Sequence, residues 1–439
     1  MYEEWWDKIS STAAVAAARS GDLRSNIGQA LVDLNDIVLA APALVQDAYV
    51  RLSEEALHHG SARNLDRVLN GEQVLTTPSN LDAGLAALLS GALLRALDEA
   101  HLLLAPTLGP PAAPMRDWLT RDETHFLIPR PFGRGFRKPP AKGQSVGKRG
   151  LLNHVALPRR LCGLRVEIAS VDALLPSGDE LNAVGFGAAL MSDFSVTLAE
   201  FPGPRFLVSD VAFSQGADLL MAQVNQALDA RCHFLVWPEL SVSELHQNAI
   251  ERALASSALL KESPLQLVIA GTRHVAARGG TVNRARILLG TGEPVSAYYD
   301  KLKPFVAKTG AEEGIVPGES VLILVTELGL ASIGICKDFC DEAATNVFEA
   351  LPVDVFLVPS LGNDQTMKGH QDVAKWISVR HGAVTFVVQQ DIPQDLEPHA
   401  APAGMLGYVL PPSGDPRASE LPALAQTGTF SLHTVRTSR

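Results

Sequence analysis

The first quarter of the chain has the hydrophobic spacing of α-helices. Apolar residues recur at near-helical intervals within 31–38 and through the leucine-rich run at 81–104, which places them on one face of each helix. A break at 77–79 precedes the second segment, and we predict that Ser79 is the N-cap of its helix. This part of the chain carries no recognisable chemistry, so we interpret residues 1–105 as a helical accessory domain.

The last two thirds of the chain alternate between short apolar runs and longer helical patterns. The runs at 205–213 and 233–240 have the length and composition of strands, and each is followed by a helical segment. Two more short strands are predicted near 404–410 and 427–435. Because such alternation is typical of layered α/β structure, we predict an α/β domain at 161–439.

The segment between these regions is rich in proline, glycine and basic residues. From 130 to 160 it has nine lysines and arginines and no aspartate or glutamate. We interpret 106–160 as a solvated linker. A contact with nucleic acid or protein is the alternative, because Phe132 and Phe136 alternate with the arginines. Binding of that kind would weaken steeply with salt.

One run, ASIGICKDFCDE at 331–342, has the pattern of a reactive strand end. Small and β-branched residues lead into Cys336 and polar residues follow, which predicts a buried strand that turns sharply into a helix. Ligands bind at the carboxyl ends of strands in α/β folds, and the N-terminus of the helix would favour a thiolate. Cys336 is therefore a candidate nucleophile, with a cysteine that only packs as the alternative.

Composition limits the class of protein. With 439 residues, 46% of them hydrophobic and 19% charged, the chain is typical of a globular protein with two or more domains. Its net charge of -11 argues against a general polyanion binder. The start of the sequence, MYEEWWDKIS, is unlike a secretory signal, and no apolar run approaches the roughly 20 residues that span a bilayer. We predict a cytoplasmic protein without membrane contact.

The cysteines argue against two further kinds of site. Four cysteines in a chain of this length give no disulfide framework and fit a reducing compartment. Cys336 and Cys340 are four residues apart, which is not the spacing of a zinc knuckle, and no second pair follows. We predict that the protein uses no metal and no cofactor.

Three charged residues stand at strand ends or in loops before the cysteine. Glu239 follows FLVWP, Lys301 follows SAYYD, and Glu313 lies in EEGIVPG. Taken singly, a glutamate or lysine at such a position is more often a solvated loop residue than a catalytic one. Their order along the chain, together with Cys336, favours a shared site.

Taken together, these segments resemble the nitrilase, or carbon–nitrogen hydrolase, superfamily. The matching motifs are WPEL at 237–240, YYDKLKP at 298–304, EGIVPG at 313–318 and GICKDFCDE at 334–342. The resemblance covers about 205–435. It implies a four-layer α-β-β-α sandwich that packs into a dimer or larger homo-oligomer through the hydrolase domain.

The resemblance also implies roles for the charged residues. Cys336 would be the nucleophile, Glu239 the general base, and Lys301 the cationic partner of that base, with Lys303 as the rival of Lys301. A thiol attacks an amide carbonyl once a base removes its proton, which a buried glutamate with a raised pKa is able to do.

The remaining positions of the site follow from the same motifs. Glu313 would be the second carboxylate, with Glu312 as its rival. We expect Lys337 and Asp338, directly after the cysteine, to bind the oxyanion or the substrate, the backbone N–H of Lys337 being a candidate donor.

The function implied by the resemblance is hydrolysis of a small non-peptide amide through a cysteine thioester. The Lys-Asp-Phe sequence after the cysteine favours the amidase-like branch over nitrile-cleaving members. A nitrile hydrolase or an N-acyltransferase with the same residues is one alternative. A nitrilase-like module within a multi-protein or nucleic-acid-associated assembly, such as a defence system, is the other. One departure from the family pattern is Gln389-Gln390, which stands where Ala-Asn is typical.

Overall fold

The structure is a computed structural model in which part of the chain is described. The described residues are 3–16, 22–72, 74–75, 77–104, 123–130, 136, 141–171, 182–199, 203–258, 263–340, 347–398, 400–412 and 430–436. The chain divides into two compact units, Met1–Phe132 with Pro139–Arg159, and Gly133–Lys138 with Arg160–Arg439.

The first unit consists mainly of helices, as the hydrophobic spacing predicts. Its helices are α1 (Glu3–Ala16), α2 (Leu23–Leu39), α3 (Ala43–Arg51), α4 (Glu54–Leu69), α5 (Ala83–Leu103) and the short α6 (Val146–Arg149). A two-stranded antiparallel sheet of β1 (His125–Pro129) and β2 (His154–Pro158) belongs to the same unit. The leucines of α2 and α5 form its apolar core.

The predicted N-cap of α5 is wrong. Asp82, not Ser79, caps the helix: its side chain accepts a hydrogen bond from the Leu85 N–H at 2.7 Å. Aspartate is as good an N-cap as serine, and Asp82 directly precedes the first helical residue, whereas Ser79 lies in the preceding turn.

The interpretation of 106–160 as a solvated linker does not hold for the residues of β1, α6 and β2, which lie within this range and form secondary structure. Arg149 is fully buried, and its guanidinium donates to Glu54 Oε1 at 2.7 Å and to the Leu52 carbonyl at 3.1 Å. Those acceptors offset the desolvation of the charge. Phe136 is buried against Phe186, so neither residue is available to nucleic acid. Phe132 and three of the nine basic residues, Arg134, Arg137 and Lys138, lie outside the described part of the chain.

A buried relay of polar groups joins β2 to α5. Asp98 accepts hydrogen bonds from the backbone N–H groups of Leu152 and Asn153 at 2.7 and 2.8 Å, and from His154 Nδ1 at 2.8 Å. His154 Nε2 in turn accepts from His101 Nδ1 at 3.1 Å. Burial, with help from His154 and a nearby arginine, lowers the pKa of His101 to about 3. The low pKa keeps the His101 imidazole neutral, and the Asp98 oxygens already have donors.

The second unit is a mixed α/β structure with two large sheets. The seven-stranded sheet has the order β17-β16-β15-β14-β13-β4-β3, and the six-stranded sheet has the order β11-β10-β9-β8-β5-β18. A smaller sheet has the order β12-β7-β6. Phe186 of the six-stranded sheet packs on Phe386 of the other, with ring centroids 5.3 Å apart.

The strand and helix bounds of this unit are as follows. The strands are β3 (Arg160–Leu161), β4 (Leu164–Ser170), β5 (Ala183–Ala189), β6 (Ser195–Ala199), β7 (Arg205–Ala212), β8 (Phe234–Val236), β9 (Leu267–Ala277), β10 (Gly280–Leu289), β11 (Tyr299–Asp300), β12 (Glu312–Glu313), β13 (Ser320–Thr326), β14 (Gly329–Ile333), β15 (Val355–Gly362), β16 (Val384–Asp391), β17 (Gly407–Leu410) and β18 (Phe430–Arg436). The helices are α7 (Gly216–Asp229), α8 (Glu244–Ala258), α9 (Lys337–Cys340) and α10 (Asp364–His381).

The helices of this unit lie against the two large sheets. Helices α7 and α8 contact each other and reach the six-stranded sheet through β18 and β9. Helix α10 contacts β15, β16 and β17 of the seven-stranded sheet. The alternation of strands and helices predicted from sequence is present, and so are strands at the two late positions, β17 and β18.

No single helix within the described residues is both long and apolar enough to cross a membrane; only α2 and α3, taken together across a bend of 102°, have sufficient length and composition.

The first prediction concerns the relay on α5. Asp98→Ala leaves two backbone N–H groups and one imidazole N–H buried without their acceptor, and we expect a loss of about 3 kcal/mol in the stability of this unit. Hydrogen–deuterium exchange of peptides from 83–104 measures it. Asp66→Ala, at an exposed position on α4, is the control. Equal exchange in the two variants would show that the relay contributes no stability.

Candidate active site

Strand ends from both large sheets bring the predicted base and nucleophile together. Glu239 follows β8, and Cys336 follows β14. The backbone of Leu361, in β15, joins them: its N–H donates to Glu239 Oε2 at 3.1 Å, and its carbonyl accepts from Cys336 Sγ at 3.3 Å. Both side chains are only 2% exposed, so water has little access to the thiol or the carboxylate.

The backbone at both strand ends is strained. Cys336 and Leu240, the residue after Glu239, have φ of 45° and 48°, a region that β-branched and bulky residues rarely adopt. The Cys336 N–H donates to the Pro359 carbonyl at 2.9 Å, which holds the turn against β15. Strain of this kind is concentrated at functional sites. Here the two strained turns orient the side chains of Glu239 and Cys336 into the same site.

Lys301 lies between two carboxylates. Its Nζ is 2.7 Å from Glu239 Oε1 and 2.7 Å from Glu313 Oε2, and the side chain is 1% exposed. Burial lowers the pKa of Lys301, but the two glutamates outweigh this and raise it well above its ordinary value. Lys301 is therefore a permanent cation. Its rival Lys303 is half-buried, and its backbone N–H donates to the Asp338 carboxylate at 2.9 Å.

Glu313, rather than Glu312, is the second carboxylate of the site. Burial raises the pKa of Glu313, but Lys301 and His274 outweigh it and hold the pKa at about 2. Its Oε2 also accepts from the Phe305 N–H at 2.9 Å. Glu312 is half-exposed and precedes it in the same short strand. Glu313 is therefore ionised at all physiological pH values.

Two residues that the sequence did not assign to the site fix the carboxylates in place. His274 and Asn283 face each other across the β9–β10 ladder. His274 Nδ1 accepts from the Val208 N–H at 2.8 Å, so the proton lies on Nε2, which donates to Glu313 Oε1 at 3.0 Å.

Asn283 connects the two carboxylates directly. Its Nδ2 donates to Glu239 Oε1 at 2.9 Å and to Glu313 Oε1 at 2.8 Å. These two bonds identify Nδ2 as the atom that faces the carboxylates, because carboxylate oxygens only accept. Asn283 therefore holds Glu239 and Glu313 at a fixed separation, with Lys301 between them. No pattern in the sequence signals this role, because it depends on the register of β9 with β10.

The cysteine is a thiol at rest, which corrects the prediction of a thiolate stabilised by a helix. Burial first, and then Glu239, raise the pKa of Cys336 well above its ordinary value, while Lys301 lowers it. Helix α9 has only four residues, so its dipole is small. Burial likewise raises the pKa of Glu239, although Lys301 and a hydrogen bond with Cys336 lower it. The thiol and the carboxylate are thus placed for proton transfer between them.

The two residues after the cysteine have different surroundings. The carboxylate of Asp338 accepts from the N–H groups of Leu302 and Lys303 and from the Tyr299 hydroxyl, all within 3.0 Å. Burial raises the pKa of Asp338 to about 7, although Lys301 and these donors lower it. Asp338 therefore holds the loop that carries Lys301, and its contact with substrate stays a prediction.

The backbone N–H of Lys337 differs from those of its two neighbours. It makes no hydrogen bond within the described residues, whereas the N–H groups on either side, of Cys336 and Asp338, are bonded. An N–H that has no acceptor within the described chain and directly follows the predicted nucleophile is a candidate oxyanion donor. Among the described residues, no three His, Cys, Asp or Glu side chains are grouped to hold a metal ion.

Comparisons with known proteins give solved structures only. A scan against protein-family models finds no match, and a search of curated proteins finds none. The chain is similar to an amidase from Nesterenkonia sp., with 17% identity over 58% of this chain and 90% of that one and a TM-score of 0.39. A variant of the Nesterenkonia AN1 amidase from the nitrilase superfamily has 18% identity over 60% and 93%, with a TM-score of 0.38.

A third solved structure is more distant in sequence. The carbon-nitrogen hydrolase from Helicobacter pylori G27 has 12% identity over 53% of this chain and 84% of that one, with a TM-score of 0.39. At these values the roles of individual residues rest on the contacts within this chain.

The second prediction concerns the pH dependence of Cys336 reactivity. Because Glu239 accepts the thiol proton only when ionised, alkylation by iodoacetamide should fall as the pH drops through a pKa above the ordinary glutamate value of 4.5. In Glu239→Gln this acid limb should disappear, and the rate at neutral pH should fall about 100-fold. Peptide mass spectrometry follows the modified Cys336, with the exposed Cys162 as the internal reference.

The matched control is Glu244→Gln, an exposed glutamate at the start of α8. It should leave both the rate and the acid limb unchanged. An unchanged pH profile in Glu239→Gln would show that Glu239 is not the base for Cys336.

Proposed function

We propose that this chain is a carbon–nitrogen hydrolase that cleaves a small non-peptide amide through a thioester on Cys336. The observation that carries the proposal is the buried cation Lys301, bonded to both Glu239 and Glu313 at 2.7 Å beside the strained nucleophile turn. A thiol, a base of raised pKa and a fixed cation in one dry site are the parts that acyl transfer requires.

The first chemical step forms a carbon–sulfur bond. Glu239 takes the proton of Cys336, and the sulfur attacks the amide carbon, whose π electrons move to the oxygen. The resulting oxyanion accepts from the free N–H of Lys337 and is stabilised by the charge of Lys301. Donors fixed in place before the reaction need no reorganisation when the charge develops.

The second step breaks the carbon–nitrogen bond. Glu239, now protonated, gives its proton to the leaving nitrogen, the oxyanion re-forms the carbonyl, and ammonia or an amine departs. Cys336 then holds the acyl group as a thioester, and Glu239 is again ionised.

Water completes the cycle. Glu239 removes a proton from water as it attacks the thioester carbon, and the collapse of that intermediate expels the sulfur, which regains a proton from Glu239. The products are a carboxylic acid and the free enzyme. Glu313, His274 and Asn283 take no proton in these steps; they keep Lys301 and Glu239 in place through the bonds described above.

The proposal includes a fold and an oligomeric state. We propose that the two large sheets and their helices form the four-layer α-β-β-α sandwich of the nitrilase superfamily, and that the hydrolase unit associates into a dimer or larger homo-oligomer. The contacts of α7 and α8 with one sheet and of α10 with the other support the layered arrangement.

The third prediction tests the reaction and the nucleophile. A panel of short aliphatic and aromatic amides should yield acid and ammonia, and added hydroxylamine should divert the thioester to a hydroxamic acid. Cys336→Ala should abolish both products, while Cys340→Ala, four residues away and half-buried, should retain them. Release of acid from nitriles alone would identify a nitrile hydrolase, and a new amide formed with added amines in place of acid would identify an acyltransferase.

The fourth prediction separates the two neighbouring glutamates. Glu313→Gln removes one of the two anions that hold Lys301, so amide turnover should fall by about 10²–10³, the usual loss when a stabilising group of an oxyanion site is displaced. Glu312→Gln should retain turnover close to that of the unaltered protein. Ammonia release under saturating amide measures both, and equal losses in the two variants would contradict the assignment of Glu313.

A further inference from the structure

Cys336 also borders a second set of buried polar groups that the mechanism above does not use. They are Ser360 in β15, His370 in α10 and Gln389 in β16, and all three are completely buried. The Cys336 N–H is bonded to the Pro359 carbonyl and its sulfur to the Leu361 carbonyl, so the cysteine lies alongside Ser360. Polar groups at such depth need hydrogen-bond partners.

The three side chains form one hydrogen-bonded group. Ser360 Oγ is 3.0 Å from His370 Nε2 and 3.4 Å from Gln389 Oε1. The amide nitrogen of Gln389 donates to the Asn363 carbonyl at 3.3 Å, which leaves Oε1 facing Ser360. The hydroxyl of Ser360 also acts to lower the pKa of the Cys336 thiol.

These contacts determine where the protons lie. Gln389 Oε1 only accepts, so the Ser360 hydroxyl donates to it at rest, and His370 Nε2–H donates to Ser360 Oγ. His370 Nδ1 is then an unprotonated lone pair, in accord with its having no partner among the described residues. A buried lone pair without a partner is more easily tolerated than a buried N–H. Burial lowers the pKa of His370 to about 3, so the ring stays neutral.

The sulfur of Cys336 requires a hydrogen-bond donor when it is negatively charged, and the Ser360 hydroxyl is such a donor. The sulfur carries negative charge twice in each cycle, when the thiolate forms and when the thioester collapses, in a site that excludes water. Lys301 already balances two carboxylates. The bond from Ser360 to Gln389 is long at 3.4 Å, and long hydrogen bonds are weak, so the hydroxyl is readily redirected.

We propose that Ser360 is a further catalytic residue, whose hydroxyl turns from Gln389 Oε1 to the sulfur of Cys336 when that sulfur becomes negative. His370 is a positioning residue that holds Ser360 Oγ in place through its Nε2–H. No covalent bond changes in this motion; one neutral hydrogen bond is exchanged for a stronger bond to an anion. The inference rests on the proposed cysteine nucleophile.

The test compares Ser360→Ala with Ser360→Thr, which keeps a hydroxyl. The rate of iodoacetamide alkylation of Cys336 is measured against pH by peptide mass spectrometry, so no substrate is required. Ser360→Ala should slow alkylation at neutral pH about 10- to 100-fold and move the alkaline inflection of the profile to higher pH. Ser360→Thr should restore most of the rate and the original inflection.

The matched control is Ser332→Ala. Ser332 is also a completely buried serine, in β14, and its hydroxyl donates to the Leu322 carbonyl at 2.8 Å. It should leave the alkylation profile unchanged. If Ser360→Ala does not fold, His370→Leu against His370→Gln makes the same test, because glutamine keeps an N–H donor and leucine does not.

The outcomes separate this inference from the proposed function. If Ser360→Ala keeps the full rate and profile while Glu239→Gln loses them, the role of Ser360 is wrong and the hydrolase proposal stands. If Ser332→Ala slows alkylation as much as Ser360→Ala does, the effect is one of packing and the inference is again wrong. If neither Glu239→Gln nor Ser360→Ala changes Cys336 reactivity, both proposals fail.

Discussion

The burial of the Lys301 charge is the constraint on which the rest of the site depends. An ammonium group in a dry interior is costly unless it is paired, and here the pairing requires carboxylates that are 62 and 12 residues away in sequence. Each of those carboxylates needs donors of its own, which come from Asn283, His274 and backbone N–H groups. Loss of any one member leaves another charge or donor unpaired, so the members depend on one another.

Burial and the same charges explain why Cys336, the proposed nucleophile, rests as a thiol. Two glutamates and one lysine leave a net charge of about minus one, and a thiolate would add a second negative charge to a buried site. Proton transfer from Cys336 to Glu239 avoids this, because the total charge is the same before and after the transfer. Burial is the largest cause of the raised pKa values of both groups, and the negative charges around them add to it.

Local sequence was sufficient where a short motif determines the structure. The strand ends at Glu239 and Cys336 followed from patterns within about ten residues, whereas the choice of Glu313 over Glu312 came from the family resemblance. His274 and Asn283 depend instead on the register of a hairpin, and a shift of one residue would turn both side chains to the other face. Composition likewise gave no sign that Arg149 is buried, because its partners lie about 100 residues earlier.

A buried polar network is structural when all of its hydrogen-bond donors and acceptors are paired. It is able to take part in catalysis when some of them are unpaired or weakly bonded. The oxygens of Asp98 and Asp338 are taken by backbone and side-chain donors, and each of these carboxylates holds a strand or loop in place. Around Cys336 the groups are only partly satisfied: the Lys337 N–H has no acceptor in the described chain, and the bond from Ser360 to Gln389 is long. A backbone N–H without an acceptor among the described residues and a weakly bonded hydroxyl, both next to Cys336, favour a negative charge that exists only during the proposed reaction, which is the property expected of an active site.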